Sequence, residues 1–298
     1  MFTRRIPWVA LLASAALFAT ACQPTVDVSN ATVDLRTGLP PAPPDPPVVP
    51  ERPSAIKGKQ VFEKTGCVVC HGPEGLGNGP LAANLKSPGK SLYTDFLALL
   101  GIRAAGEKLP SRPANFHNTV AMRLNSPFSM YETVTRGRPN TAMPAFGPRE
   151  SYGASRYGTA RLSDTERWHV IFYEWTFATT PAEVARGKQL YETKALEIGG
   201  VPLTCAACHG IGGDGRGSAR DADLSRKLWG WARREGPGIF TNINLMAQRK
   251  PTELYQSIVD GRGEMPSYRG KLSDEEVWAL VSYIWTFVYD YPTPPVTK

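Results

Sequence analysis

The sequence predicts an all-α chain made of two tandem copies of one small domain. Three observations carry this. Five landmarks recur in the same order in the two halves. Each half closes on a helical run that opens with "LSD" and continues with apolar residues at helical spacing, such as Trp168, Ile171 and Trp175. Runs that alternate with the period of a strand are scarce.

The first segment is an export signal. Arg4 and Arg5 precede the apolar stretch "WVALLASAALFA", which is too short for a comfortable membrane span, and small residues lead up to Cys22. "ATAC" at 19–22 resembles a bacterial lipobox, with Ala19 where that motif usually has leucine. The cysteine count agrees. Of five cysteines, four fall into two CxxC pairs and Cys22 is left over, an odd residue that lipidation explains. The expectation is a signal peptide at 1–21, a lipid on Cys22, and an extracytoplasmic protein anchored on the periplasmic side of a membrane. Residues 22–53 form the expected linker. Its end, "PPAPPDPPVVPERP" at 40–53, is more than half proline and favours an extended rod of roughly 40 Å.

The two domains are expected at 54–180 and 181–298. "KGKQVFE" at 57–63 matches "RGKQLYE" at 186–192, and "CVVCHGPEGLGNG" at 67–79 matches "CAACHGIGGDGRG" at 205–217. "RPANFHN" at 112–118 matches "GPGIFTN" at 236–242, "MPAF" at 143–146 matches "MPSY" at 265–268, and "RLSDTERWHVIFYEWTFA" at 161–178 matches "KLSDEEVWALVSYIWTFV" at 271–288. The "GKQ" segments are expected to begin short amphipathic helices. Ser163 and Ser273, each three residues before a glutamate, have capping-box spacing. The repeated aromatics, Trp168, Trp175, Phe177, Trp278, Trp285 and Phe287, are expected to pack the last helix on the first and on the group held at "CVVCH" or "CAACH". Insertions in the first copy, "SLYTDFLALLGIRA" at 91–104, and in the second, "KLWGWARREG" at 227–236, are candidate docking segments.

The chemistry sits in "CVVCH" and "CAACH". CxxCH fits covalent attachment of a c-type haem: two thiols add across the vinyl groups, and the adjacent histidine reaches the iron. A thioredoxin-like site would need a βαβ context, and a zinc site would need converging clusters. The loops "GLGNG" and "GGDGRG" lack the GK[ST] ending of a phosphate loop, and their glycines are expected to let the backbone run close to the haem edge.

With these residues each copy resembles a class I cytochrome c: a first helix with Gly-Lys, CxxCH-Gly, a loop, a proline, Met-Pro, and a last helix opening on LSD. The resemblance spans residues 54–288, and the whole is similar to tandem dihaem cytochromes c. It implies two all-α domains, each enclosing one covalent haem c. Cys67 and Cys70 would hold one and Cys205 and Cys208 the other, with His71 and His209 as proximal ligands. It also implies that the carbonyls of Pro113 and Pro237 accept from the second nitrogen of those histidines.

For the sixth ligand, the spare histidines His117 and His169 align with Thr241 and Ala279, so neither serves both copies. Two methionine pairs recur, Met122 with Met246 and Met143 with Met265. Met143 and Met265 precede proline in polar loops just upstream of the last helix, where class I cytochromes place the ligand. They are the expected axial pair; Met122 and Met246, in segments with helical potential, are the rival pair. His/Met ligation raises the reduction potential, and two filled axial positions favour electron transfer over substrate turnover.

Charge bears on partners. Residues 54–178 carry 15 basic and 9 acidic side chains, and residues 179–298 carry 15 and 14, so the first domain suits an acidic redox partner. Nucleic acid does not suit an exported haem protein. The expected function is single-electron transfer between redox proteins, as a shuttle or as a subunit of a respiratory or photosynthetic membrane oxidoreductase. The competing class is a dihaem enzyme, a peroxidase or a sulfur-compound dehydrogenase, for which neither copy offers a repeated distal acid–base group.

Overall fold

The computed structural model describes residues 49–85, 112–138, 141–148, 161–198, 200–220, 238–263 and 265–292. The export signal, Cys22, the linker through residue 48, both insertions and Pro237 lie outside these residues. No helix among the described residues is long and apolar enough to cross a membrane.

Each copy is built on the crossing of its first and last helices. The first copy runs α1 (Ala55–Lys64), α2 (Cys67–His71), α3 (Thr119–Leu124), α4 (Pro127–Arg136) and α5 (Asp164–Thr176). The second runs α6 (Pro181–Thr193), α7 (Cys205–His209), α8 (Ile243–Met246), α9 (Pro251–Asp260) and α10 (Asp274–Trp285). The crossings of α1 with α5 and α6 with α10 need a residue without a side chain. A Cβ on Gly58 would lie 2.0 Å from the His169 carbonyl oxygen, and one on Gly187 would lie 1.9 Å from that of Ala279. One turn on, Phe62 packs edge-on against Tyr173 and Tyr191 against Tyr283, both at 5.3 Å.

The last helices start where the capping boxes place them. Ser163 Oγ accepts from the Glu166 N–H, and the Glu166 carboxylate accepts from the Ser163 N–H; Ser273 and Glu276 repeat the exchange. The start of α6 differs from expectation. Thr180 and Glu183 form a further capping box with Pro181 in the first turn, so "GKQ" lies inside this helix and does not open it. A two-stranded hairpin, β1 (Leu196–Ile198) and β2 (Val201–Leu203), precedes α7. Three residues a strand are too few to show a period in sequence.

The aromatics divide their work. Phe177 and Phe287 do pack on the first helix, beside Phe62 and Tyr191. Trp168 instead stacks on Tyr131 of α4, and Trp278 on Tyr255 of α9, each at 4.5 Å. Trp175 and Trp285, equivalent residues of the two copies, meet each other across the domain boundary at 5.2 Å and are almost fully buried. Around them Phe172 stacks on Tyr289, the Phe128 N–H donates to the Ala247 carbonyl, and the Arg123 guanidinium lies over the Trp278 ring.

Residues 49–53, expected as linker, belong to the folded body. Arg52 donates to the carbonyls of Thr286, Phe287 and Tyr289 and pairs with Asp290, capping the end of α10. His169 holds the same strap from the other side. Its Nδ1 accepts from the Ser54 N–H at 3.1 Å, and its Nε2 lies 3.0 Å from the Glu51 carboxylate.

Candidate haem sites

Each CxxCH forms one helical turn, which sets the two thiols three residues apart on one face with the histidine at its end. Gly66, with φ +84°, precedes α2, and the Thr204 hydroxyl caps α7 by accepting from the Ala207 N–H. No disulfide joins these cysteines. Burial pushes the Cys67 thiol up to about 11, against the Thr65 hydroxyl that lowers it. Burial likewise pushes Cys205 up to about 11, against the Tyr268 hydroxyl.

The histidines are oriented the same way in both copies. His71 Nδ1 faces the Ala114 carbonyl at 3.2 Å, and His209 Nδ1 faces that of Gly238 at 3.1 Å. The acceptor is thus one residue beyond the proline expected in each case, Pro113 and Pro237. Pro113 turns its own carbonyl elsewhere: a Cβ on Gly77 would come within 2.6 Å of it. Phe116 stacks on His71 at 4.8 Å and Phe240 on His209 at 4.6 Å. Phe177 and Phe287 stack behind them at 6.1 and 6.2 Å, making a three-ring column in each domain. Burial lowers the His71 pKa, partly offset by the Ala114 carbonyl. That favours the neutral imidazole a metal requires.

Protein fills the space beside the glycine loops. A Cβ on Gly75 would meet the Phe177 ring at 2.7 Å, and one on Gly213 would meet Phe287 at 2.6 Å. These two glycines therefore admit the last ring of the column.

The two methionine pairs differ in setting. Met122 sits in α3 and Met246 in α8, 6% and 4% exposed, as packing residues do. Met143 and Met265 are half-buried at the rim of the core, on loops clamped at the backbone. The Arg138 N–H donates to the Met143 carbonyl and the Arg262 N–H to that of Met265, both at 3.1 Å. Gly137 and Gly261 precede these arginines with φ of +70° and +75°, and a Cβ there would strike the same carbonyls. His117 stands apart: its Nε2 reaches the Glu74 carbonyl at 2.7 Å.

Two buried charged residues went unnoticed in sequence. Arg167 is 2% exposed and Glu174 5%, both on α5. Comparing the repeats would have found them, because their counterparts on α10 are Val277 and Ile284.

The residues fit haem c. Each domain offers paired thiols and an adjacent imidazole with Nδ1 already engaged. The first domain also holds buried donors without partners, Arg167 Nε and Nη1 and Trp168 Nε1, which suit an acidic cofactor.

Comparison with known families agrees. The family model described as "Cytochrome c" matches residues 55–176, and that described as "Cytochrome C oxidase, cbb3-type, subunit III" matches residues 182–284. The chain is a c-type cytochrome, all-α, with two class I cytochrome c domains in tandem. It holds two haem c groups, one at Cys67 and Cys70 and one at Cys205 and Cys208, and its domains serve electron transfer. No curated protein matches the chain. A solved structure, the Kuenenia stuttgartiensis reducing HAO-like protein complex Kustc0457/Kustc0458, matches at 24% identity over 80% of this chain and 98% of that chain. Its TM-score is 0.28, and nothing about this chain follows from it.

Proposed function

We propose that this chain is a lipid-anchored, periplasm-facing dihaem cytochrome that passes single electrons between redox proteins as a subunit of a membrane oxidoreductase. The buried join between the domains carries this reading. Trp175 and Trp285, nearly solvent-free, fix the two haem-bearing halves against each other, as a two-site relay needs. The description of the family model matching the second domain, a subunit of an oxidase, supports the subunit role. The "ATAC" sequence at 19–22 supports lipidation at Cys22.

Haem c, when bound, supplies a one-electron couple. His71 and Met143 would hold iron in the first domain, and His209 and Met265 in the second. The carbonyls of Ala114 and Gly238 fix the histidine tautomers, and the Phe columns exclude water from that side. Met143 and Met265 would supply the second protein ligand in each domain, and such His/Met ligation favours one-electron transfer over peroxidase or dehydrogenase chemistry. Extraction in mild detergent tests the assignment: comigration with other membrane subunits is the expected result. A chain that extracts alone contradicts the subunit role, and rapid peroxide turnover contradicts the carrier role.

A further inference from the structure

Glu174 sits where the fold otherwise places hydrocarbon. It shares a stripe of α5 with Arg167 and Ile171, and the equivalent stripe of α10 is Val277, Val281 and Ile284, all buried and apolar. The carboxylate is close enough to Cys67, a haem attachment point, for its charge to push that thiol up.

The groups packed around it do not neutralise it. Helix α1 carries Lys57, Lys59, Glu63 and Lys64, all exposed to solvent. Helix α2 carries Cys67, Cys70 and His71. Helix α4, packed on α5, carries Tyr131, Glu132 and Arg136, the last two paired with each other, and Arg167, His169 and Tyr173 share its own helix. Arg167 is engaged with Asp164 and Tyr131, and His169 with Ser54 and Glu51. Burial alone governs the acidity of Glu174 and raises its pKa to about 8.

We propose that Glu174 is a proton-binding site coupled to the redox state of the first domain, so that an electron gained there is matched by a proton gained from solvent. This rests on the haem c reading above. In the balanced step, one electron leaves a reduced partner and lowers the charge at the iron by one. One proton passes from solvent to a carboxylate oxygen of Glu174 and forms an O–H bond. On oxidation both leave. The coupling is electrostatic: loss of a positive charge nearby makes the carboxylate less stable and its acid form more stable. The second domain, with Ile284 in this place, lacks the site.

The sign follows. Between the acidities of the oxidised and reduced states, the reduction equilibrium of the first site weakens as pH rises, by at most tenfold per pH unit, or about 59 mV. The test is a spectroelectrochemical titration of the intact, haem-loaded chain from about pH 5 to 9, for the wild type and Glu174→Gln. One haem of the wild type is expected to show this slope, and Glu174→Gln to abolish it. In redox-difference infrared spectra of the wild type, a carboxylic acid C=O band that shifts in D2O is expected to appear on reduction, which requires no variant. An unchanged slope in Glu174→Gln with both haems bound, or no such band, overturns the proposal. A chain without covalent haem overturns the underlying reading instead.

Discussion

The helix crossings make a quantitative prediction at Gly187. In Gly187→Ala the new methyl would start 1.9 Å from the Ala279 carbonyl oxygen, 2.6 Å from its carbon and 2.7 Å from Tyr283 Cβ. Side-chain carbons essentially never approach closer than 3.0 Å, so α6 and α10 must part by at least 1.1 Å, the difference between 3.0 and 1.9. A gap of roughly 0.5–1 Å already forfeits a quarter to a half of each dispersion well along the interface. The obstacle is backbone, so no rotamer change relieves it. Overpacking of this kind costs about 3 kcal/mol, at the upper end of its usual range. Alanine's better helix propensity returns about 1 kcal/mol. The net expectation is a loss of about 2 kcal/mol, roughly 30-fold in the folding equilibrium. Denaturant unfolding of the haem-loaded chain, at unchanged m-value, measures it. Gly212→Ala is the control, since a Cβ there meets nothing within 4 Å. Gly187→Ala at wild-type stability or above would refute the tight crossing, because propensity alone would then decide the outcome.

Two further predictions concern the first domain. Burial, with help from Lys57, lowers the His169 pKa in the folded state, against Glu51, which raises it. The native state therefore binds fewer protons than the unfolded chain just below the ordinary histidine pKa of about 6.5, and stability falls as pH drops through that region. Glu174 has a raised pKa and acts in the opposite direction from 4.5 up to about 8. The His169 contribution is thus read as the difference between wild type and His169→Gln, which should shrink on acidification; a pH-independent difference would contradict the strap anchored on neutral imidazole. Phe116→Ala removes the ring between His71 and Phe177 and should cost about 3 kcal/mol. It should also perturb the spectrum of one haem only, and an equal change at both would contradict two separate columns.

Local, repeated patterns were the legible part of this chain. The capping boxes at Ser163 and Ser273 and the CxxCH turns depend on residues within a few positions of one another, and the repeat displayed each twice. Long-range partners were not legible. Val49 and Arg52 read as a proline-rich spacer because Asn244, Phe287 and Asp290, which hold them, lie about two hundred residues or more away. Trp175 and Trp285 read as packing each last helix within its own copy, and only the docking of the domains makes them a pair. The histidine acceptor was missed by one residue in each copy, since spacing marks the loop and not which of its carbonyls turns inward.

Axial ligation decides whether this chain carries electrons or offers an open iron, and one set of spectra reaches it directly. Near-infrared methionine-to-iron charge-transfer bands should be recorded for the oxidised wild type and for Met143→Ala and Met265→Ala. Each variant should lose the band of one haem, with the other unchanged and the reduction potential of the altered haem lowered. Retention of both bands in these variants, with their loss in Met122→Ala or Met246→Ala, would move the ligands to the other pair and contradict the assignment.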